Sequence, residues 1–256
     1  MKRLDGKVSV VTGSAQGMGF AIARALSKEG SKVVICDINE EKIEQAVSEL
    51  KNGDAEAMGV LMDVTRKVQV IDMVEQVVKS WGSIHILVNN AGGALNTPHR
   101  LDEIEEEHWD LVVNVNLKGA FLCCQQIIPV MVKNGGGTII NMSALAGHWR
   151  ASLAGVQYTA AKAGLEGLTR QLAYDWGPQG IRVNAVAPTV TMTGDRIKSL
   201  WDSKSEEEKR RILEQIPLRR LSTPDEIAAV VVFLASGESS YITGITLDIS
   251  GGRYLR

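Results

Sequence analysis

Short apolar runs recur along this chain, and between them the apolar residues fall at the period of a helix. Residues 7–12 (KVSVVT), 32–36, 57–62, 84–88 (IHILV), 138–142, 182–187 and 246–249 have the length and the apolar or β-branched character of strands. Helical spacing runs over 17–29, 40–51, 65–81, 157–176 and 225–235, and over one long stretch, 109–133, that Asn134-Gly135-Gly136-Gly137 closes. A strand that is apolar throughout is buried on both faces. When helices separate such strands, the sheet is parallel and covered on both sides, and right-handed crossovers give a doubly wound α/β architecture. The pattern therefore predicts a single-domain, Rossmann-like α/β fold over residues 1–256, with helices on both faces of a parallel sheet. No Pro/Ser-rich linker or internal repeat divides it. The acidic run 103–107 reads as a solvated helix start.

Composition narrows the function. The chain has 256 residues, 45% of them hydrophobic, with 25 glycines and a net charge of -2. That suffices for a large core and supplies no basic field for nucleic acid or an anionic membrane. The apolar runs are strand-length, so no membrane span is expected. The start of the chain, Met1-Lys2-Arg3-Leu4-Asp5-Gly6-Lys7, carries no apolar signal-peptide core, and a cytoplasmic location is expected. Cys36, Cys123 and Cys124 are an odd set without metal spacing and read as core thiols of a reducing compartment. No His/Cys/Asp cluster has metal spacing, and no catalytic metal is expected.

Candidate chemistry begins after the first strand. Thr12-Gly13-Ser14-Ala15-Gln16-Gly17-Met18-Gly19 joins that strand to the first helix. Glycines in this context let the backbone approach a pyrophosphate, and the helix N-terminus favours its charge. The spacing is GxxxGxG, for which a tight turn without a ligand is the lesser alternative. Asp37 ends the second strand, where a carboxylate accepts hydrogen bonds from adenosine ribose hydroxyls and repels a 2′-phosphate. Position 16 is Gln and position 38 is Ile, so no neighbouring cation is expected beside a phosphate, and NAD is expected over NADP.

The second candidate is Tyr158-Thr159-Ala160-Ala161-Lys162. Residues four apart share a helix face, so the Lys162 ammonium sits one turn from the Tyr158 hydroxyl and stabilises its phenolate. Alone, such a pair is common by chance in helices. After a glycine loop, it points to a nicotinamide-dependent enzyme with a tyrosine acid/base.

The chain resembles the short-chain dehydrogenase/reductase family over nearly its whole length. The matching segments are TGSAQGMG (12–19), Asp37, Asp63-Val64, NNAG (89–92), NVNLKG (114–119), YTAAK (158–162), RVNAVAP (182–188), IPLRRL (216–221) and YITGITLDISGG (241–252). The resemblance implies that the loop Gly13, Gln16, Gly17, Met18 and Gly19 holds NAD. It also implies that Asp63 and Val64 flank the adenine and that Asn90 shapes the cofactor site. Thr191 and Thr193, after Pro188, would face the carboxamide. Tyr158 would be the general acid/base, Lys162 would also bind the nicotinamide ribose, and Asn116 would hold a water linking Lys162 to solvent. It further implies a homotetramer built on residues 109–133, 157–176 and the C-terminal segment.

One departure concerns the serine that such enzymes place three residues before a glycine at the end of the fifth strand. Here the segment is Asn141-Met142-Ser143-Ala144-Leu145-Ala146-Gly147, and the count back from Gly147 lands on Ala144. Either Ser143 serves as the catalytic serine from a displaced backbone, or the role is missing. Adjacent strand residues face opposite ways, so Ser143 can serve only if the strand has ended or bulged there. Thr189 follows Pro188 where many relatives have glycine, which hints at a polyol or sugar-like substrate. Residues 189–222 read as a substrate lid or as a surface helical pair. His148, Trp149 and Arg150 are candidate pocket residues, whereas His85 reads as a packed histidine. Two functions follow: an NAD-dependent oxidoreductase interconverting a small-molecule secondary alcohol and a ketone, or a dinucleotide-binding sensor or scaffold with lost or weak turnover.

Overall fold

A computed structural model of the chain describes residues 2–151 and 153–255. Seven strands form one fully parallel sheet: β1 (Val8–Thr12), β2 (Lys32–Asp37), β3 (Ala57–Leu61), β4 (Ile86–Asn89), β5 (Gly137–Met142), β6 (Ile181–Pro188) and β7 (Thr246–Ile249). Their order is β3-β2-β1-β4-β5-β6-β7. The chain walks outward from β1 to β3 and then returns to the other side of β1 with β4. The loops after β1 and β4 therefore diverge at the C-terminal edge of the sheet, where open α/β folds bind ligands.

The strands alternate between two cores although both sets of side chains are apolar. Val11, Val33 and Ile35 pack with Ile22 and Leu26 of α1 (Gly17–Lys28), Ile43 of α2 (Glu40–Asn52) and Val231 of α9 (Pro224–Ala235). Val10, Val34 and Cys36 face the opposite way, toward Val70 and Met73 of α3 (Lys67–Trp81) and Ile127 of α5 (Gly119–Lys133). Burial of a single Leu or Ile side chain at such a position is worth about 2–5 kcal/mol against alanine. The three cysteines are free and fully buried in this second layer.

The stretch expected as one plain helix over 109–133 differs in detail. It starts earlier, with α4 (Glu106–Val113), passes through a π-helical turn at Asn114–Lys118, and continues as α5. Together, Glu106–Lys133 is long and apolar enough to cross a bilayer by length and composition, contrary to the sequence expectation. Its apolar character has another cause: half of its most apolar window is buried inside the chain's own core. The π turn separates two packing partners. The helix before it, α4, lies on α6 (Val156–Trp176), and α5 lies on α3 and the sheet.

Two helices, α7 (Gly194–Asp202) and α8 (Glu206–Glu214), occupy the segment between β6 and α9. The ends of that segment are tied by a parallel bridge between Thr191 and Ser222 and by their hydroxyls, 2.8 Å apart.

Candidate active site

A cavity of about 860 Å³ opens at the C-terminal edge of the sheet. The glycine loop forms one end, with Gly13, Gln16, Gly17, Met18 and Gly19 all on its wall. Close approach explains two of the three glycines, Gly13 and Gly19. A Cβ at Gly13, where φ is +61°, would sit 2.8 Å from Ala91 Cα, and one at Gly19 would sit 2.3 Å from the Gly13 carbonyl oxygen. Asn90 locks this arrangement by donating through Nδ2 to the carbonyls of Thr12 and Gly13 at 2.9 and 2.8 Å. The first turn of α1 has no side-chain cap from Gln16, so its N–H groups remain directed at the cavity end, where an anion would sit. This cradle of close-packed glycines before an uncapped helix start fits a pyrophosphate.

Asp37 stands beside the loop. Its carboxylate accepts from the Ala15 and Ile38 N–H groups at 3.1 and 2.8 Å. Sequence reasoning expected no cation here, and the structure brings one. Lys42, one turn into α2, donates to Gln16 Oε1 and lines the same cavity. A basic residue five positions after Asp37 on an adjacent helix start was the signal available.

Two catalytic candidates, Tyr158 and Lys162, meet the cofactor candidates at and after the end of β6. Tyr158 and Lys162 of α6 both line the cavity, with the Lys162 ammonium 5.5 Å from the Tyr158 ring centroid. Lys162 is 4% exposed, and its Nζ donates to the Met142 carbonyl at 2.6 Å. Burial pulls its pKa down to about 8. Pro188, Thr191 and Thr193 line the cavity from the end of β6 and the start of the next segment.

Besides Asp37 and His148, three expected residues lie outside that lining. Asn116 is buried in the π turn and braces the loop after β4. Its Nδ2 donates to Gly93 O and Val112 O at 2.9 and 2.8 Å, and its Oδ1 accepts from Gly93 N at 2.9 Å. Asp63 turns its carboxylate back onto Thr65, accepting from the backbone N–H and the hydroxyl at 2.8 and 2.7 Å. Val64 is buried against Gly119, where a Cβ would come within 2.6 Å of its Cγ2.

Strand β5 ends at Met142, and Ser143 N–H donates back to Asn141 O at 3.0 Å. Ser143 thus lies beyond the alternation of the strand, yet its hydroxyl is engaged elsewhere. It donates to Glu166 Oε1 at 2.9 Å, in a buried site. Ala144, in extended conformation on the same cavity wall, brings only a methyl group. His148 Nδ1 lies 2.8 Å from the same Glu166 oxygen, and its Nε2 lies 3.0 Å from Asp248 Oδ1. Glu166 escaped sequence reasoning although it is four residues after Lys162, on the same helix face. His85, by contrast, is packed as expected. Its Nδ1 accepts from Val8 N–H at 3.0 Å, and burial, reinforced by Lys7, lowers its pKa.

Comparison with known proteins joins these parts. The family model described as enoyl-(acyl carrier protein) reductase matches residues 13–253. The chain belongs to the short-chain dehydrogenase/reductase family. This short-chain dehydrogenase/reductase is 38% identical over 252 residues to (2S)-[(R)-hydroxy(phenyl)methyl]succinyl-CoA dehydrogenase subunit BbsD of Thauera aromatica, covering 98% of each chain. It is also 38% identical over 250 residues to 3-oxoacyl-[acyl-carrier-protein] reductase FabG of Thermotoga maritima, again covering 98% of each. Among solved structures, an NAD+-bound xylitol dehydrogenase superposes with a TM-score of 0.91 at 30% identity, covering 98% of this chain and 100% of that one. Membership makes the chain an oxidoreductase with a nicotinamide dinucleotide cofactor.

Proposed function

We propose that this short-chain dehydrogenase/reductase interconverts a secondary alcohol and a ketone with NAD, using Tyr158 as the general acid/base. The observation that carries the reading is the convergence of Tyr158 and Lys162 on the cavity whose other end is the glycine cradle. When bound, the nicotinamide supplies hydride transfer. Everything else falls to the protein. The loop from Gly13 to Gly19 holds the pyrophosphate, and Asp37 meets the adenosine ribose. Asp63 and Val64, outside the cavity lining, shape the adenine end from behind. Pro188, Thr191 and Thr193 orient the carboxamide.

Tyr158 takes the alcohol proton in oxidation and returns it in reduction, a form of help worth ~10²–10⁴-fold. The Lys162 ammonium favours the phenolate and is held in place by the Met142 carbonyl. Asn116 secures the turn beside this pair, the position from which a proton relay to solvent would leave. NAD is favoured over NADP by the Asp37 carboxylate, and the NAD+-bound xylitol dehydrogenase among its structural relatives agrees with a polyol-like substrate. A cytoplasmic homotetramer is the assembly we propose. Exposed Trp109, Leu111 and Phe121 along α4 and α5 support it, since a lone protomer would leave them in water.

A second reading is a nucleotide-binding protein with weak turnover, favoured by one observation: Ser143 is engaged by Glu166 and Ala144 offers no donor. A screen of alcohols with NAD, followed at the absorbance of the reduced nicotinamide and repeated with Tyr158→Phe, separates the two. Turnover that disappears in Tyr158→Phe while NAD still binds supports the enzyme. An inert protein that binds NAD supports the sensor.

A further inference from the structure

A smaller cavity of about 380 Å³ adjoins the large one and shares Arg150, Ala151, Leu153, Val190, Ile197 and Arg253 with it. Its far wall comes from α7, α8 and the short connection between them: Trp201 and Ile212 give an apolar surface, and Lys204 stands with them. None of the glycine-loop residues reaches it. Three cations thus converge on a mostly apolar space, and among the described residues lining either cavity there is no Asp or Glu.

Two of the charges, Arg150 and Arg253, are close together. Burial first, and the neighbouring charge of Arg150 second, hold Arg253 below its ordinary pKa. Both guanidinium groups lie against the Trp149 ring, 5.0 and 5.8 Å from its centroid. Arg253 donates to Gln215 Oε1 at 3.1 Å, which helps to orient the group. Arg150 forms no ion pair with any described residue, and Lys204 feels Glu208 on the solvent side of α8. Like charges gathered beside an apolar wall repel one another, and a bound anion relieves that repulsion. Planar guanidinium groups match a carboxylate in particular.

We infer that this smaller cavity anchors an anionic group, a terminal carboxylate or phosphate, on the apolar tail of a substrate whose carbinol or carbonyl carbon lies at Tyr158. The inference rests on the oxidoreductase reading above and specifies the substrate class of that site.

The test uses matched pairs: 3-hydroxybutyrate, 4-hydroxypentanoate, 5-hydroxyhexanoate and 6-hydroxyheptanoate, each against its methyl ester, with NAD in excess. A charged hydrogen bond of this kind is worth about tenfold to a hundredfold in kcat/KM. At one or more chain lengths the acid should exceed its ester by that factor, and the ratio should fall toward one in Arg150→Gln and in Arg253→Gln. A hydroxyalkyl phosphate that outruns the acid of equal length identifies phosphate as the anion. Ratios near one at every length, with neutral alcohols turned over, overturn the anchor and leave the oxidoreductase reading standing. If nothing is turned over, that reading fails, and calorimetry with heptanoate against heptanamide in the presence of NAD judges the anchor alone. Heptanoate binding that Arg150→Gln removes supports it, and equal or absent binding of the two overturns it.

Discussion

Ala144→Ser should raise the rate of the chemical step. The substitution adds one hydroxyl on a cavity wall where the backbone is already extended, with φ −161° and ψ 164°, so serine enters without strain. The methyl it replaces faces a space of about 860 Å³, so one oxygen meets no overpacking. Stability should change by no more than about 0.5 kcal/mol, the range for a substitution that disturbs no packing. Ser143, on the same wall, has Glu166 as its nearest acceptor at 2.9 Å, so its hydroxyl is the less available donor. A hydrogen-bond donor aimed at the developing charge on a substrate oxygen contributes ~10²–10³-fold, or about 2.7–4 kcal/mol. The open cavity keeps some water near the oxygen, so the lower end, about a hundredfold in kcat, is expected. The assay is steady-state oxidation of the best alcohol from the screen, with NAD affinity measured separately by fluorescence and expected to stay constant. An unchanged kcat in Ala144→Ser together with a severe loss in Ser143→Ala would refute the reasoning and return the catalytic hydroxyl to Ser143.

Asp37→Ala should narrow the preference for NAD over NADP by weakening NAD, and Lys42→Ala in that background should weaken NADP again, since Lys42 is the cation at that end of the cavity; titration of both cofactors decides, and equal affinities in the unmodified protein would sink the idea. Lys162 should make the stability of the ligand-free protein depend on pH. Its pKa falls from 10.5 to about 8 on folding, so between those values the unfolded chain holds a proton that the folded chain lacks. Stability from this group therefore rises with pH across that window, by roughly 3 kcal/mol in all, and the penalty is fully present below it. Denaturation of the protein and of Lys162→Met at matched pH should show the difference closing as pH rises; a constant difference would contradict it. Light scattering at micromolar concentration should return a tetramer, and a monomer would reject the proposed assembly.

The strands were legible because their burial on both faces leaves an unbroken apolar signature, and each was placed to within about two residues. Their lateral order was not, since nothing in residues 84–88 says that they return to the far side of β1. The glycine loop and the Tyr158–Lys162 pair were legible because each is local in sequence. Groupings of distant residues were hidden for the opposite reason. Ser143, His148, Glu166 and Asp248 meet only after β5, α6 and β7 have docked, and Arg150 meets Arg253 from across the chain. The serine question shows the limit most clearly. Counting residues identified Ala144 as the anomaly, but only side-chain geometry revealed that Ser143 already has an acceptor. The π turn was invisible because a shift of one hydrogen-bond step leaves the apolar pattern of 109–133 almost unchanged.

That turn has a consequence for how the chain tolerates changes of length. A π turn holds one residue more than the α-helix around it. The bulge absorbs that residue, so α4 and α5 keep nearly the phase of one continuous helix, and deleting one residue from Asn114–Lys118 would close the turn to an ordinary helix. The face of α5 that meets α3 and the sheet would keep its direction, whereas Asn116, held inside the bulge, would be displaced from Gly93 and Val112. A single-codon deletion here should therefore spare the fold and loosen the loop after β4, whereas the same deletion in the regular turns of α5 would rotate everything after it by about 100° and expose the core face. A length change in this helix is tolerated only where the backbone already carries a spare residue.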